Sequence, residues 1–508
     1  MLLKLRPLLL PVVFSISLAG LAFLNPLRQN PRAFATFLGA AAALFLWSAA
    51  LIVCRRPSSL LFAPKKQHYV QACAQGAVLV YWGFYWPQVP AFVPFIIAQL
   101  LFAYAFDALL SWSRRGSHLL GFAPFPIIFS INLFLWFKPD WFFLQFAMIA
   151  VGLLVKEFIR WKRDGRFVHI FNPSSFPLAV FSLVLIATGT SDITWAREIA
   201  GTQFFPPQMY LALFLIGLPG QFFFGVTSMT MSAVITTWLF GRVYFAITGV
   251  YFFYDSYIPI AVFLGMHLLF NDPVTSPRTP LGRIVYGSLY GLGTILFYDL
   301  LGKAGLPTFY DKLLPVPLLN VSVKVIDRIS RVVETREPVP SLPRNLAYIA
   351  VWSVAFVALS ATGGLGDTHP GQWMPFWRHA CEQDRRYACP YLADLELDAC
   401  DRGSGWACNE AGRMDITLSR SGEDLRRTSA AQALQPFTRG CDLGFHAACE
   451  NLHTLTHGGA LISAPPAQQD WPVILRGSKG EIRQRTPAQL SALACREGWP
   501  DSCRKSSD

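Results

Sequence analysis

Charged residues are scarce in this chain of 508 residues, because Asp, Glu, Lys and Arg together make up only 15% of it. Soluble domains carry nearer a quarter, so the composition excludes a soluble globular enzyme along the whole length. No cysteine occurs between Cys73 and Cys381, and no HExxH, P-loop, GxGxxG or CxxC pattern occurs at all. The sequence therefore offers neither a nucleotide-binding loop nor a metal-binding motif.

Apolar residues are abundant instead and make up 53% of the chain, of which aromatic residues alone account for 14% of the chain. This content excludes a disordered or collagenous chain. A helix needs about 20 apolar residues to cross a bilayer, and stretches of that kind recur from the start. The sequence predicts transmembrane helices near 8–25, 34–54, 68–86, 90–112, 120–137, 139–158, 174–190, 207–226, 230–250, 257–271, 283–302 and 345–362, with a weaker one near 306–323.

Positive charge is concentrated in the apolar part, since the first 362 residues hold 27 of the 43 basic residues but only 13 of the 31 acidic ones. Such an excess is typical of cytoplasmic loops, not of nucleic-acid binding. Lys4 and Arg6 precede the first helix, which lacks a small-residue cleavage site and is expected to be retained. The later clusters mostly follow even-numbered helices, which predicts a cytoplasmic N-terminus. If 306–323 crosses, the C-terminal part lies outside.

The eight late cysteines form four pairs with the same separation of eight. Three pairs also have a glycine three residues after the first cysteine. This spacing predicts a helix end, a turn and a new helix, stapled by a disulfide in an oxidising compartment. Zinc is the alternative, although it prefers shorter spacings. The pairs are Cys381 with Cys389, Cys400 with Cys408, Cys441 with Cys449, and Cys495 with Cys503.

Two polar stretches that contain proline interrupt the apolar background. In the first, Asn172, Pro173 and Ser174 precede a helix and form a good helix start. The free N–H groups there could hold an anion such as a phosphate, or the stretch could be an ordinary capped loop.

The second stretch runs over 271–287 and contains Asp272, Thr275 and Arg278. An aspartate near the membrane edge is costly unless it pairs or serves a site, and Arg278 is a plausible partner. The alternative is a structural Asp–Arg clasp between two helices.

Together the two stretches resemble the NqrB/RnfD family of membrane proteins, whose members belong to the sodium-translocating NADH:quinone oxidoreductase and to the Rnf complex. Asp272-Pro273-Val274 looks like the Asp-Pro-Val signature of that family, and Asn172-Pro173 looks like its Asn-Pro motif. The likeness covers about residues 68–332, which would be a ten-helix core. It implies a flavin carrier in an ion-coupled electron-transfer complex.

Members of this family attach FMN to a threonine in a Ser-Gly-Ala-Thr motif, which this sequence lacks. Thr227 and Thr230 are the nearest substitutes, although a threonine in an apolar stretch is more often a helix-packing residue. The resemblance thus leaves FMN or riboflavin held without a covalent bond as the expected cofactor, with no metal. It leaves quinone binding open as well, and His267 is a candidate contact.

The cysteine-rich region from about 375 to 508 resembles Sel1-like repeats, through stretches such as Cys441–Leu452. The resemblance implies paired helices that stack into a solenoid and bind a protein.

The expected fold is all-α, a polytopic bundle of about 12 to 13 transmembrane helices followed by a disulfide-stapled α-solenoid domain. The expected function is a membrane-embedded electron-transport subunit of the bacterial inner membrane, not a complete enzyme, with a periplasmic domain for protein interaction. The alternative is a non-redox scaffold or transporter that kept the fold and lost the flavin. Expected partners are membrane lipid, other redox or membrane subunits, quinone and a protein for the repeat domain, without nucleic acid. The expected domains are two extra helices at 1–67, the ten-helix domain at 68–332, a linker and last helix at 333–362, and the repeat domain at 363–508.

Overall fold

Helices dominate the chain, which confirms the all-α prediction. The computed structural model describes residues 7, 9–163, 165–333, 341–421, 430–475 and 485–503, so Lys4 and Arg6 lie outside the described part. Strands occur there as two short pairs. In the first, β1 (Ser59–Phe62) pairs in parallel with β2 (Ser117–Leu120), and in the second, β3 (Arg160–Arg163) pairs antiparallel with β4 (Arg166–His169).

The chain divides into two compact units, of which the first comprises Met1–Thr237 and Ile260–Ala358. Helices of the apolar region begin and end close to most of the predicted segments. They are α1 (Leu9–Leu21), α2 (Pro31–Val53), α3 (Lys66–Gly83), α4 (Val93–Arg115), α5 (Pro124–Asn132), α6 (Phe142–Phe158), α7 (Ser175–Thr188), α8 (Ala196–Thr202), α9 (Met209–Phe224), α10 (Thr227–Thr248), α11 (Ile260–Leu268), α12 (Pro280–Lys303), α13 (Pro315–Val333) and α14 (Ser341–Ala361).

Six helices among the described residues are long and apolar enough to cross a membrane, which makes the chain a membrane protein. Three shorter apolar helices, α1, α7 and α9, accompany them. The six segments are Pro31–Val53, Val93–Arg115, Pro139–Phe158, Thr227–Thr248, Pro280–Lys303 and Leu342–Ala361.

Three predicted crossings have a different form in the structure. The segments at 120–137 and 257–271 contain only the nine-residue helices α5 and α11, each about 14 Å long and too short to span a bilayer alone. Helix α11 is followed by Asn271-Asp272-Pro273, where the proline cannot continue a helix. The third predicted segment, at 306–323, corresponds to α13, which begins later in the sequence because Pro315 is its first residue.

The same order of helices occurs twice in the apolar region. Apart from the four-residue helix Gln88–Ala91, helices α3 to α7 and helices α9 to α13 are two sets of five. In both sets the second helix is long and the third has nine residues. A short third helix is therefore a feature of both halves. It leaves buried, non-helical chain beside α5 and α11.

The second unit comprises Trp238–Pro259 and Leu359–Asp508. All four predicted disulfides are formed, with Cα atoms 4.5 to 4.7 Å apart. Positive φ angles at Gly403, Gly444 and Gly498 confirm the predicted turns, and Asp384 adopts the same left-handed region where the first pair lacks a glycine. Its helices are α15 (Met374–Glu382), α16 (Ala388–Asp401), α17 (Gly405–Ser421), α18 (Leu434–Asp442), α19 (His446–His457) and α20 (Pro487–Arg496).

Candidate functional site

A polar cavity of about 450 Å³ lies within the first unit. Helices α3, α4 and α6 line it, together with β2, the β3–β4 hairpin and the two polar stretches singled out in the sequence. Its volume falls in the range of about 300 to 1,000 Å³ that small-molecule sites occupy. We refer to it as the polar cavity.

Asn172 lies in one wall of the polar cavity and contacts several neighbouring segments. Its Oδ1 accepts hydrogen bonds from the Ser174 N–H at 2.9 Å, from the Ser174 hydroxyl at 2.7 Å and from the Ser175 N–H at 3.3 Å. Its Nδ2 donates to the Leu269 carbonyl at 3.2 Å, and its N–H donates to Asn320 Oδ1 at 3.1 Å. The N–H groups at the start of α7 are thus used within the chain, as in the capped-loop interpretation.

Asp272 faces the polar cavity from the other stretch. Its carboxylate accepts hydrogen bonds from the Val274 N–H at 3.2 Å and the Thr275 hydroxyl at 3.1 Å, and lies 3.8 Å from His169 Nε2. Burial opposes ionisation of Asp272, but the contacts with His169, Val274 and Thr275 outweigh it and lower its pKa. Asp272 is therefore held as a carboxylate whose neighbours fix its orientation.

Helix α6 brings opposite charges together along a second wall. Glu157 accepts a hydrogen bond from Arg160 at 2.7 Å and forms an ion pair with Arg115 at 2.9 Å. One residue earlier, Lys156 Nζ lies 3.5 Å from Asp107 Oδ2. The carboxylates of Asp107 and Glu157 are thus paired with cations from neighbouring elements.

Three histidines, His68, His118 and His169, also line the polar cavity. His118 Nδ1 lies 3.4 Å from the Ser111 hydroxyl. Burial, together with the charges of Lys156 and Arg115, lowers the pKa of His118 despite the opposing effect of Asp107. The site therefore combines a neutral imidazole with a positive electrostatic environment.

Two buried side chains of the lining have an atom without a partner among the described residues. The Gln75 amide donates to the Leu268 carbonyl at 3.2 Å, but its Oε1 accepts no hydrogen bond. The Ser130 hydroxyl also has no partner, and both residues are 2% exposed. Such groups are rare in native proteins, and both residues line the polar cavity.

The residues predicted as a cofactor site are only partly brought together. Asn172, Pro173, Ser174 and Asp272 line the polar cavity. Thr275 touches it indirectly through its hydrogen bond to Asp272.

Arg278 contacts a different carboxylate from the one expected. Its side chain is exposed, and its backbone N–H donates to Asp327 Oδ1 at 2.9 Å, while Asp272 contacts His169. The clasp between remote segments of the chain is instead the ion pair of Arg163 with Asp327 at 2.7 Å.

Thr227 and Thr230 lie outside the lining of the polar cavity, at the start of α10. Both are buried, and their hydroxyls have no hydrogen-bond partner among the described residues.

A second group of buried polar atoms surrounds the end of α11. His267 Nδ1 donates to the Phe263 carbonyl at 2.8 Å, which leaves Nε2 as an acceptor that no described residue satisfies. The Gln221 amide and the Trp352 indole N–H also lack partners there. The His267 and Trp352 ring centres lie 6.1 Å apart, and a Cβ on Gly217 would contact both Gln221 and His267.

Several residues of the polar cavity were not selected from the sequence. Lys65 and His68 lie at the start of α3, and His118 and Arg160 lie on the short strands β2 and β3. Charge is unremarkable beside the helix ends of a membrane protein. One feature of the sequence could have indicated them. Basic residues and histidines flank helices α2, α4 and α6, at ends that the charge pattern assigns to the same side of the membrane. Only the tertiary fold shows that these ends converge.

The described residues contain no group of three or more His, Cys, Asp or Glu arranged to hold a metal ion. Comparison with protein-family models, with curated proteins and with solved structures yields no match to this chain.

Proposed function

We propose that this chain is a membrane-embedded electron carrier that binds a flavin without a covalent bond in the polar cavity. The observation that carries the proposal is the convergence of Asn172 and Asp272, one hundred residues apart, on a single cavity of about 450 Å³. Asn320 connects the two stretches, because it accepts the Asn172 N–H and donates to the Thr275 carbonyl. These are the residues through which the sequence resembles the flavin-carrying family.

The polar cavity fits such a cofactor in size and in chemistry. The free acceptor of Gln75 and the free hydroxyl of Ser130 suit the hydrogen-bonding edge of a flavin ring. Lys65 and Arg115 supply positive charge, and Leu268 supplies apolar contact. A bound flavin would supply one- and two-electron transfer, and the residues of the polar cavity would bind and orient it.

A quinone is the proposed electron partner, near the end of α11. His267 Nε2 and the Trp352 indole N–H are an acceptor and a donor without described partners, and aromatic rings of Phe214 and Phe263 lie close by. A carbonyl oxygen of the quinone would accept from the Trp352 indole N–H, and a hydroxyl of the reduced quinol would donate to His267 Nε2. Leu268 and Leu269 line the polar cavity, so the end of α11 contributes to both places.

The proposed setting is the bacterial inner membrane, with the N-terminus in the cytoplasm and the C-terminal region at 363–508 in the periplasm. The basic excess of the apolar region supports this orientation. The four disulfides support an oxidising compartment for the second unit. We propose that the region at about 375–508 is a Sel1-like domain that binds a protein partner of an ion-coupled oxidoreductase.

A transporter without flavin is the second candidate, and the paired short helices favour it. Transporters often place two interrupted helices, one from each half of an internal repeat, beside the substrate site. Helices α5 and α11 have the same length and the same place in their halves.

The absorbance spectrum of the purified, full-length protein distinguishes these candidates. The proposal predicts flavin absorbance in the native protein, bleaching on addition of dithionite, and release of the flavin into the filtrate after denaturation. Absence of flavin in both native and denatured samples contradicts the redox proposal and leaves the transporter. Flavin that stays with the denatured chain contradicts non-covalent binding.

A further inference from the structure

We propose that the polar cavity recognises a phosphate group, so that its ligand is a phosphomonoester. If the ligand is a flavin, this inference rests on the proposed function. The cavity would then bind flavin mononucleotide more tightly than riboflavin. The phosphate site itself stands on the charges and the shape of the cavity.

The charges that line the polar cavity favour an anion. Four cationic side chains, Lys65, Arg115, Lys156 and Arg160, face three carboxylates, Asp107, Glu157 and Asp272. Each carboxylate already contacts a cationic side chain or a histidine. One positive charge is thus in excess. A phosphate dianion would balance this charge through charge-assisted hydrogen bonds.

The excess charge lies at the outer end of the polar cavity. Lys65 is exposed and directly precedes α3, which runs along the wall and contributes His68, Gln71 and Gln75 at spacings of three and four residues. His68 lies within electrostatic range of both Lys65 and Lys156. We therefore place the phosphate beside Lys65 and His68.

The inner end of the polar cavity is polar but uncharged. Gln75 lies ten residues along α3 from Lys65, about 15 Å at the helical rise. It is buried, as is Ser130, and each presents an unpartnered atom. A ligand with a charged group at one end and a neutral hydrogen-bonding ring at the other matches this division.

The start of α7 does not serve as the phosphate site. Its first N–H groups already donate to Asn172 Oδ1. The recognition of phosphate therefore depends on side chains and is accessible to substitution without disturbing that cap.

The test compares ligands on the full-length protein in phosphatidylcholine nanodiscs, after any resident flavin has been removed. Binding of FMN and of riboflavin is titrated by flavin fluorescence. We expect FMN to bind at least ten-fold more tightly than riboflavin, and inorganic phosphate to compete with FMN only. In a Lys65→Gln/His68→Gln variant, the affinity for FMN should fall about ten-fold, while the affinity for riboflavin should stay unchanged. Unchanged binding of riboflavin also shows that the variant is folded.

Two further variants control for general charge and for folding. Lys162→Gln removes an equally exposed charge from β3, outside the lining, and should leave FMN binding unchanged. Lys65→Arg keeps the charge and should keep the preference for FMN. Equal affinities for FMN and riboflavin overturn the phosphate inference but leave the proposed function standing.

A thermal-unfolding measurement covers the case in which neither flavin binds, which contradicts the proposed function. Inorganic phosphate, or phosphatidic acid in the nanodisc, should then raise the unfolding midpoint of the wild type but not of the Lys65→Gln/His68→Gln variant. Stabilisation by phosphatidic acid alone assigns the site to a lipid headgroup. No effect of either compound overturns the inference.

Discussion

Arg163 and Asp327 form a buried ion pair across 164 residues of sequence, with Nη2 and Oδ2 at 2.7 Å. Their side chains are 6% and 4% exposed. The guanidinium also donates to the carbonyls of Val274 and Ser276, and the carboxylate accepts the backbone N–H of Arg278. The pair thus fastens the β3–β4 hairpin and the stretch after α11 to α13, beside the polar cavity.

Breaking this ion pair should destabilise the first unit. Arg163→Gln leaves Asp327 as a buried charge without its partner, a change that typically costs about 3 to 5 kcal/mol. We expect a similar loss for Asp327→Asn, and little additional loss in the double variant. The measurement is the free energy of unfolding in detergent, by titration with a denaturing detergent.

An exposed ion pair provides the control for this measurement. Lys303 and Asp299 on α12 are 2.6 Å apart but 57% and 36% exposed, and their removal should cost less than about 1 kcal/mol. Equal losses for the two pairs, or additive losses in the Arg163→Gln/Asp327→Asn variant, would contradict the assigned role.

Gly152 on α6 packs against the backbone of the Asn-Pro motif. A Cβ at this position would clash with the Pro173 carbonyl oxygen and would lie 3.1 Å from the Pro177 ring. We therefore expect Gly152→Ala to shift Pro173, to lower the unfolding midpoint and to weaken ligand binding in the polar cavity. Gly39→Ala on α2 meets nothing within 4 Å, and helix propensity alone should make it neutral or stabilising. Unchanged stability of Gly152→Ala would show that this contact does not constrain the motif.

The cysteines of the two units should differ in reactivity. The eight paired cysteines are expected to resist alkylation until a reductant is added, whereas Cys54 and Cys73, which are exposed in the described structure, react at once if lipid or detergent does not cover them. Mass spectrometry of the alkylated chain counts the modified thiols. Alkylation of all ten without reductant would refute both the pairing and the oxidising compartment.

The second unit should lose stability in mild acid through His369. This histidine is packed against Tyr251 and Tyr257, accepts the Gly371 N–H, and burial lowers its pKa to about 4. The unfolded chain binds a proton near pH 6.5 and the folded chain only near pH 4. Stability present above pH 6.5 is therefore lost as the pH falls between these values, by an amount on the order of 3 kcal/mol.

Variants of histidine isolate this effect. His369→Asn retains an acceptor but does not titrate, so its unfolding midpoint should fall less between pH 7 and pH 4.5 than that of the wild type. His379→Asn, at an exposed position, should behave as the wild type does. If the wild type and both variants show the same pH dependence, His369 is not its cause.

Local patterns were sufficient to predict the disulfide pairs and most helices. The separation of eight and the glycines at 403, 444 and 498 depend only on neighbouring residues, and these turns were correct. Apolar length located the long helices, but it could not show where α5 and α11 stop. The residues that follow are also apolar, and the breaks are marked by Asn132 in the first case and by Asn271-Asp272-Pro273 in the second.

The site was less predictable because its residues come from distant segments. Asn172 and Asp272 stood out since polar residues and prolines are unusual beside apolar helices. No comparable feature of the sequence distinguished His68 and His118. Asp272 contacts His169 and not Arg278, although Arg278 is nearer in sequence. These contacts join residues that are distant in sequence, so they depend on the tertiary fold.

The most direct test of the central claim is the flavin content of two paired variants, measured by absorbance against protein concentration. We predict about one flavin per chain in the wild type. Gln75→Leu/Ser130→Val, which removes the free polar atoms of the polar cavity, should reduce flavin content at least ten-fold. Thr227→Val/Thr230→Val, which alters the buried hydroxyls at the start of α10, should leave it unchanged. Loss of flavin from the threonine variant with retention in the cavity variant would contradict the account.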